Sequence, residues 1–196
     1  MGTPDIKRLA RLLRDGDEPA FEEFVRLFST PAYRLAQRVL RNQDDALEVV
    51  QEALVAAYEG RARFSGTSHP RSWLLSITYN RAVDRLKERN RFDPYDETAS
   101  DHREAPTRAV MVRHITDWWH NPEQILSDQQ LRAQLDTALG NLPPVSQAVF
   151  ELREMQGMTS REVSETLNLS EAAVRVRLHR VRQFLMGALQ DAFDRK

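Results

Sequence analysis

The chain has 196 residues, enough for one domain or two small ones, and its 41% hydrophobic and 29% charged residues are typical of a globular protein. It contains no cysteine, which excludes disulfide scaffolds, thiolate metal sites and cysteine nucleophiles. The net charge of −1 argues at first against a nucleic-acid partner. Neither a signal peptide nor the ~18 apolar residues of a membrane span is evident, so we expect a cytoplasmic protein.

Helices are predicted from the start of the chain. Leucines and then phenylalanines recur at helical spacing over residues 5–28, and the sequence DGD at 15–17 divides this stretch into two helices. Pro31 suits the first turn of a further helix, which Asn42-Gln43 ends. We expect the apolar sides of these helices to pack together.

The next helix, DDALEVVQEALVAAYEG, is expected to be capped by Asp44 or Asp45, because Asp45 and Glu48 have the spacing of a capping box. Two rows of apolar residues mark its buried side. The remaining face carries Glu48, Gln51, Glu52 and Glu59. This stripe is either a solvated surface or a docking face for a basic partner helix.

A loop rich in glycine, serine and arginine, GRARFSGTSHP at 60–70, precedes a basic helix that Ser72 can cap. The cations of this helix are Arg81, Arg85, Lys87, Arg89 and Arg91. Aromatic rings beside cations suit single-stranded nucleic acid, because bases stack and phosphates pair. Trp73 is more simply a core residue, whereas for Phe64 core packing and base stacking are equally open.

Residues 92–127 have the composition of a linker. The first half is acidic, contains prolines and lacks a hydrophobic period, which is typical of disorder. The tryptophan pair at 118–119 packs either on a neighbouring domain or on a partner. No metal site is expected from His114, Asp117 and His120, because they do not share a helix face and no cysteine supports them.

A second helical unit is predicted from residue 128. The sequence LPP at 142–144 ends one helix and starts another, and Gly157 provides a C-terminal cap. Thr159 and Glu162 have capping-box spacing and predict a new helix start. That helix ends at Asn168-Leu169, after which Ser170 can cap the last helix.

The last helix is amphipathic and basic. Its predicted buried side consists of Val174, Leu178, Val181 and Leu185. The opposite face carries Ala172, Val176, His179 and Gln183, flanked by Arg175, Arg177, Arg180 and Arg182. This pattern is typical of a helix-turn-helix whose second helix enters a major groove, although a solvated basic helix closing a small bundle is the simpler alternative.

Charge is distributed along the chain in three blocks. Residues 61–91 hold eight basic and two acidic side chains, a net +6. Residues 92–136 hold four basic and nine acidic side chains, a net −5, and residues 172–184 hold four arginines and no acid. This order predicts two modules that face nucleic acid, separated by a segment that does not.

Three motifs in a fixed order carry a resemblance: DDALEVVQEAL, FSGTSHPRSWLLSITYNRAVDRLKERNR and LPPVSQAVFELREMQGMTSREVSETLNLSEAAVRVRLHRVR. The chain resembles the extracytoplasmic-function (ECF) class of bacterial sigma factors, in the sigma-70 family. The resemblance covers both halves of the chain and is far more specific than a lone helix-turn-helix. It implies an all-α fold with sigma region 2 at 1–95, a flexible acidic linker at 96–127 and sigma region 4 at 128–196.

The resemblance also implies a function. Proteins of this class bind core RNA polymerase, direct it to specific promoters and nucleate promoter opening. They are not enzymes, so the resemblance implies no catalytic residue and no cofactor. The implied partners are core polymerase, through its clamp coiled coil and flap, promoter DNA and an anti-sigma factor.

Site residues follow from the positions that match the family motifs. Polymerase docking is implied for Asp45, Glu48, Gln51 and Glu52. Recognition of the −10 element, including an unstacked base, is implied for Phe64, Ser65, Asn80, Arg81 and Arg85. Recognition of the −35 element is implied for Arg175, Val176, Arg177, His179 and Arg180.

The sequence departs from the family pattern at three positions. Leu47 replaces a usual acid, so docking is expected to depend more on Asp45 and Glu48. Val176 stands where serine is common. It cannot donate a hydrogen bond to a base edge but can contact a thymine methyl group. Gln147 replaces a common arginine, which removes one expected phosphate contact.

The main alternative is a DNA-binding regulator with a sensor domain before a C-terminal helix-turn-helix. It leaves the +6 segment, the loop at 60–70 and the motif DDALEVVQE unexplained. Such a regulator binds duplex DNA without polymerase, which distinguishes it experimentally. An enzyme is disfavoured because the sequence shows no Ser/His/Asp set, metal cluster or phosphate-binding glycine loop.

Overall fold

The computed structural model describes residues 5–66, 68–90 and 129–193, and within those ranges it contains helices and turns but no strand. The predicted all-α fold is therefore confirmed. The α-helices in chain order are α1 (Ile6–Arg14), α2 (Glu18–Leu40), α3 (Gln43–Gly60), α4 (Pro70–Asn90), α5 (Gln129–Gly140), α6 (Pro144–Phe150), α7 (Ser160–Leu167) and α8 (Glu171–Phe193). The tryptophan pair, the three residues at 114–120 considered for metal binding and the whole predicted linker lie outside the described residues.

The break between α1 and α2 falls where the sequence predicts it. Gly16 has φ +82, a left-handed conformation that glycine adopts without steric cost. Asp17 caps α2, since its carboxylate accepts a hydrogen bond of 2.8 Å from the backbone N–H of Ala20. A tight turn and a strong cap thus separate the two helices.

The prediction that Pro31 starts a helix is wrong, because α2 runs through it without interruption. A proline inside a helix costs about 3 kcal/mol, since it removes a hydrogen bond and clashes with the preceding turn. Here the flanking residues Phe28, Ala32 and Leu35 are all buried. Burial of this apolar side against α3 and α4 offsets the local cost.

Two further helix starts differ from the prediction by a few residues. Asn42, and neither Asp44 nor Asp45, caps α3, because its side-chain oxygen accepts both backbone N–H groups of those aspartates at 2.9 and 3.1 Å. In α4, Ser72 is a buried interior residue and not the cap. The Nδ1 atom of His69 accepts the backbone N–H of Arg71 at 3.1 Å instead.

The helix-turn-helix has the predicted local signals. Thr159 and Glu162 form a reciprocal capping box at the start of α7. Asn168 ends α7 in a left-handed conformation with φ 53. The hydroxyl of Ser170 accepts the backbone N–H of Ala173 at 3.1 Å and caps α8. A short π-helical segment, Glu151–Met155, connects α6 to the turn before α7.

The two halves of the chain share one apolar core. Phe24, Leu35, Leu74 and other residues of α1 to α4 form its larger part. From the second half it receives Ala148, Val149, Leu152, Met158, Val163, Leu167, Val174 and Leu178. A smaller cluster joins α5, α6 and the distal part of α8. The second half is therefore packed against α2 and α4, and α7 of the helix-turn-helix contacts α4 directly.

Candidate nucleic-acid interface

The recognition helix α8 has one buried and one exposed side. Val174, Leu178, Val181 and Leu185 are buried, as the hydrophobic spacing predicts. On the opposite side Arg175, Val176, His179 and Arg180 are exposed, and Arg177 is partly buried at the edge of that face. Val176 is 50% exposed although it is apolar. The packing of α8 thus presents the five predicted −35 residues as one surface.

Two arginines of α8 are held by nearby carboxylates. Arg175 lies 3.4 Å from Glu171, one turn earlier on the same helix. Arg182 donates a hydrogen bond of 2.7 Å to Glu154 of the π-helical segment, outside the predicted reading face. The first contact is exposed and the second is half-buried. A DNA groove can therefore bind Arg175 at small cost, because only its weak, exposed ion pair with Glu171 has to break.

Phe64 does not offer its ring to a base in this structure. Its side chain is 3% exposed and stacks on Trp73, with ring centroids 4.7 Å apart. Trp73 in turn contacts Phe24 in the core. The ring therefore anchors the loop at 60–70, while Ser65 and Asn80 remain exposed. Of the two interpretations left open by the sequence, core packing describes Phe64.

The acidic stripe of α3 and the basic row of α4 face each other. They form an ion-pair network, here called the α3–α4 ladder, composed of Asp45, Glu48, Glu52, Arg81, Arg85 and Arg89. Arg85 is its centre, with its two terminal nitrogens 2.7 Å from Glu48 and from Glu52. The ladder joins predicted docking residues to predicted DNA-binding residues, a contact that the sequence motifs alone do not indicate.

Arg85 keeps its charge throughout the accessible pH range. The hydrogen bond to Glu48 raises the pKa of Arg85 above its ordinary value, and the charges of Glu48, Glu52 and Asp45 act in the same direction. Partial burial opposes this effect without reversing it. The arginine at the centre of the ladder is therefore charged at physiological pH.

A polar contact connects the start of α4 to the second half of the chain. Arg71 donates to the side-chain and backbone oxygens of Gln156 at 2.8 and 3.1 Å. The Gln156 amide donates in turn to the carbonyl of Pro31 at 3.0 Å. Burial lowers the pKa of Arg71, and the nearby Glu162 partly offsets this effect. The loop at 60–70 is thereby fixed to the turn before α7.

His69 and Glu162 belong to the same polar region. Burial lowers the pKa of His69, although the charge of Glu162 opposes the shift. Burial alone would raise the pKa of Glu162, but the hydrogen bonds from Thr159 and the charges of His69 and Arg71 together lower it. The capping box of α7 thus keeps its glutamate ionised beside α4.

A second polar contact buries an acid. Glu151 is 3% exposed and lies 3.5 Å from Arg38, which also pairs with Asp136 at 2.7 Å. Burial raises the pKa of Glu151, and the charge of Arg38 opposes this shift. Sequence reasoning missed this contact. The one available signal is that Glu151 stands between Phe150 and Leu152 in an otherwise apolar stretch.

The described ranges contain neither a cluster of metal ligands nor a helix suited to crossing a membrane. No group of three or more His, Asp or Glu side chains there is placed to hold a metal ion. None of the helices in those ranges is long and apolar enough to cross a membrane.

Two family models match separate parts of the chain. Residues 24–92 match sigma-70 region 2, and residues 132–185 match sigma-70 region 4. These matches contain the α3–α4 ladder and the helix-turn-helix, respectively. The two regions occur along the chain in the same order as the sequence motifs that indicate them.

Curated relatives extend the similarity to nearly the whole chain. The ECF RNA polymerase sigma factor SigE of Mycolicibacterium smegmatis is 33% identical over 87% of this chain, which spans only 62% of that relative. SigW of Bacillus subtilis is 27% identical, with 95% of this chain and 97% of SigW aligned. The length of SigW is thus matched almost completely.

A solved structure has the same fold. CnrH in complex with the cytosolic domain of CnrY superimposes with a TM-score of 0.65 at 23% identity, covering 96% of this chain and 99% of CnrH. Sigma factors direct RNA polymerase to promoters and are non-catalytic initiation factors. The chain belongs to the sigma-70 family, in its ECF class of RNA polymerase sigma factors.

Proposed function

We propose that this chain directs core RNA polymerase to promoters by reading the −35 element with α8 and the −10 element with the loop at 60–70 and α4. The observation that carries the proposal is the two-sided packing of α8. Its apolar side is buried and its face of Arg175, Val176, His179 and Arg180 is exposed. An exposed, cation-bearing helix after a tight turn is what a major groove accepts.

The −35 contacts divide into two kinds. Arginines beside Val176 on the exposed face of α8 are proposed to read guanine edges, and arginines at the margin of that face are proposed to hold phosphates. Val176 contributes an apolar contact to a thymine methyl group. Replacing one base-reading arginine should cost about 1–3 kcal/mol and relax specificity at one position.

The −10 contacts are proposed for exposed residues next to a rigid anchor. Ser65 and Asn80 are exposed, and the stacked pair of Phe64 and Trp73 holds the loop between them. A base lifted out of the stack loses a few kcal/mol, which edge contacts from exposed polar side chains on the loop and on α4 can offset. Phe64 is thus proposed to position the loop, while polar side chains contact the base.

Polymerase docking is proposed for the face of α3 that borders α4 and stays partly exposed beside it. Asp45, Glu48, Gln51 and Glu52 form its polar part. Beside them Leu47, Val55 and Tyr58 are exposed apolar side chains, 50%, 58% and 37% accessible. Leu47 extends an apolar strip beside the carboxylates. A basic amphipathic helix, such as one strand of the clamp coiled coil, fits this mixed surface.

The remaining assignments follow from this role. We place region 2 at 1–95, the linker at 96–127 and region 4 at 128–196, with the flap of polymerase contacting region 4. The protein acts in the cytoplasm, where polymerase is, and has no enzymatic activity of its own. An anti-sigma factor is a proposed partner, because the structurally similar RpoE of Bartonella quintana was solved with the anti-sigma factor NepR, at a TM-score of 0.63 and 18% identity.

Run-off transcription tests the proposal. Purified chain, core polymerase and a library of genomic fragments should yield transcripts whose start sites share an upstream motif. Arg175→Ala should reduce these transcripts, whereas Arg26→Ala, on the exposed side of α2, should leave them unchanged. Absence of any shared motif would overturn the proposal. Tight binding of the chain alone to duplex DNA would instead support a conventional regulator.

A further inference from the structure

We propose that the α3–α4 ladder couples polymerase docking to DNA binding. The carboxylates that face polymerase also hold the arginines of α4, and docking exchanges their partners. This inference rests on the proposed function, from which it takes the docking role of α3 and the DNA role of α4. It concerns how the two roles depend on each other.

The ladder has the register of two antiparallel helices. Asp45, at the start of α3, pairs with Arg89, near the end of α4, at 2.6 Å. Glu52, two turns later on α3, pairs with Arg81 at 3.0 Å. Arg85 lies between them and contacts all three carboxylates, Asp45 more distantly at 3.9 Å. Three arginines spaced four residues apart therefore share three carboxylates.

The carboxylates of the ladder remain accessible to a second basic partner. The side chain of Glu48 is 59% exposed and that of Glu52 is 37% exposed, although both are paired. Exposed ion pairs are weak because water screens them and ordering long side chains is costly. A basic helix docking on α3 can therefore replace the α4 arginines without a large penalty.

The same pairing limits what α4 can offer to DNA. Arg81 and Arg85 are the cations predicted to hold the melted strand, and both are neutralised locally by Glu52 and Glu48. A phosphate must displace these carboxylates before it can bind. Docking removes that competition, so polymerase and DNA bind with positive coupling, and the coupling is necessarily reciprocal.

The coupling is tested first on the free chain. The Glu48→Gln/Glu52→Gln variant should bind a short fluorescein-labelled single-stranded DNA about fivefold more tightly than the wild-type chain in low salt. Its affinity should also depend more steeply on salt, by about one phosphate contact, because an arginine becomes available. Fluorescence anisotropy measures both quantities.

Matched variants separate the ladder from net charge. Glu22→Gln/Glu23→Gln changes the net charge equally but alters carboxylates of α2 that lie outside the ladder. It should leave DNA affinity near the wild-type value. Adding Arg81→Gln and Arg85→Gln to the Glu48→Gln/Glu52→Gln variant should abolish the gain, because both released arginines are then absent. Equal gains in both carboxylate variants, or no gain in either, would overturn the coupling.

Folding and the proposed function are controlled separately. If the double variant unfolds, as circular dichroism would show, Glu48→Gln alone tests the same contact at the most exposed carboxylate. Core polymerase should bind the double variant more weakly and should raise the DNA affinity of the wild-type chain. A wild-type chain that fails in run-off transcription contradicts the proposed function, whereas a transcribing chain without the DNA-affinity gain contradicts only the coupling.

Discussion

Val176 is an apolar residue on the exposed face of α8 that is proposed to read the −35 element, and its side chain cannot form a hydrogen bond with a base. Its side chain is 50% exposed at the centre of the face, between Arg175 and Arg177. A Val176→Ser variant gains a hydroxyl donor and loses the methyl contact, so base preference should change at one −35 position by about 1–3 kcal/mol. Selection of bound promoter sequences by the polymerase complex measures this preference.

Met155→Ser is the control for that substitution. Met155 is 45% exposed in the π-helical segment, outside α8 and outside the proposed docking face of α3, and the loss of an exposed apolar side chain there should leave the selected −35 sequence unaltered. An identical sequence profile for Val176→Ser and the wild-type chain would exclude a methyl contact at this position.

Glu151 is the residue whose ionisation sets a pH dependence of stability. Burial raises the pKa of Glu151 above the ordinary 4.5. The contribution of this side chain to the free energy of unfolding is therefore fully present below pH 4.5, and it is lost as pH rises through the raised pKa. Glu151→Gln should therefore gain stability relative to the wild-type chain as pH rises from about 5 to about 7.5. Urea unfolding at the two pH values measures the difference.

The comparison of variants isolates Glu151 from other carboxylates. Glu162 has a lowered pKa and contributes stability that is lost at acid pH, but it is present in both chains and cancels. Glu165→Gln, an exposed substitution on α7, should change stability by less than about 0.5 kcal/mol. A pH-independent difference for Glu151→Gln would contradict the role given to burial.

At the scale of elements, local signals predicted some helix boundaries and missed others. The caps at Thr159 and Ser170 were predictable because a cap depends on residues three positions apart. Asn42 was missed because two aspartates follow it, and all three have suitable side chains. The prediction that Pro31 starts a helix was wrong because α2 tolerates an internal proline when the neighbouring residues are buried against α3 and α4. A local sequence pattern does not reveal that burial.

The capping box of α7 gives a prediction at this scale. Thr159 accepts the backbone N–H of Glu162 at 3.2 Å, and Glu162 accepts the backbone N–H of Thr159 at 2.7 Å. Thr159→Ala removes the first contact and should reduce the free energy of unfolding by about 0.5–2 kcal/mol. Chemical denaturation followed by circular dichroism measures this loss.

Ser164→Ala is a matched control in the same helix. The Ser164 hydroxyl donates to the carbonyl of Arg161 within α7 and caps no helix end, so its removal should change stability by less than about 0.5 kcal/mol. A loss for Ser164→Ala as large as that for Thr159→Ala would contradict a specific role of the cap, because alanine has the higher helix propensity and should not by itself destabilise α7.

At the scale of the whole molecule, the contact between the two halves could not be predicted from sequence. Arg38 and Glu151 are separated by 113 positions, and no sequence motif indicates that they form a pair. The family motifs indicated the order of the regions, and the helical spacing of the apolar residues predicted the exposed face of α8. The packing of Leu152 and Val163 against α2 and α4 depends on three-dimensional fit, and the charge ladder likewise required the relative placement of α3 and α4.

With α8 assigned to the −35 element and α4 to the −10 element, as we propose, this packed arrangement cannot contact both elements at once. The −10 and −35 elements are about 25 base pairs apart, or about 85 Å along the duplex. A folded chain of this length has a radius of gyration of about 16 Å and a diameter of about 40 Å. The halves must therefore separate in the promoter complex, which requires the contacts of Arg38 and Arg71 with the second half to break.

Energy transfer between two labels measures this separation. The chain has no cysteine, so Glu22→Cys on α2 and Glu165→Cys on α7 provide unique attachment sites. Transfer should be high in the free chain and should fall by more than about half when polymerase and promoter DNA are added, because the labelled halves move to elements about 85 Å apart. Arg38→Ala should lower transfer in the free chain, while Arg26→Ala, exposed on α2, should not. Unchanged transfer in a complex that transcribes would show that the two halves read DNA without separating, and the assignment of α8 to the −35 element would then be wrong.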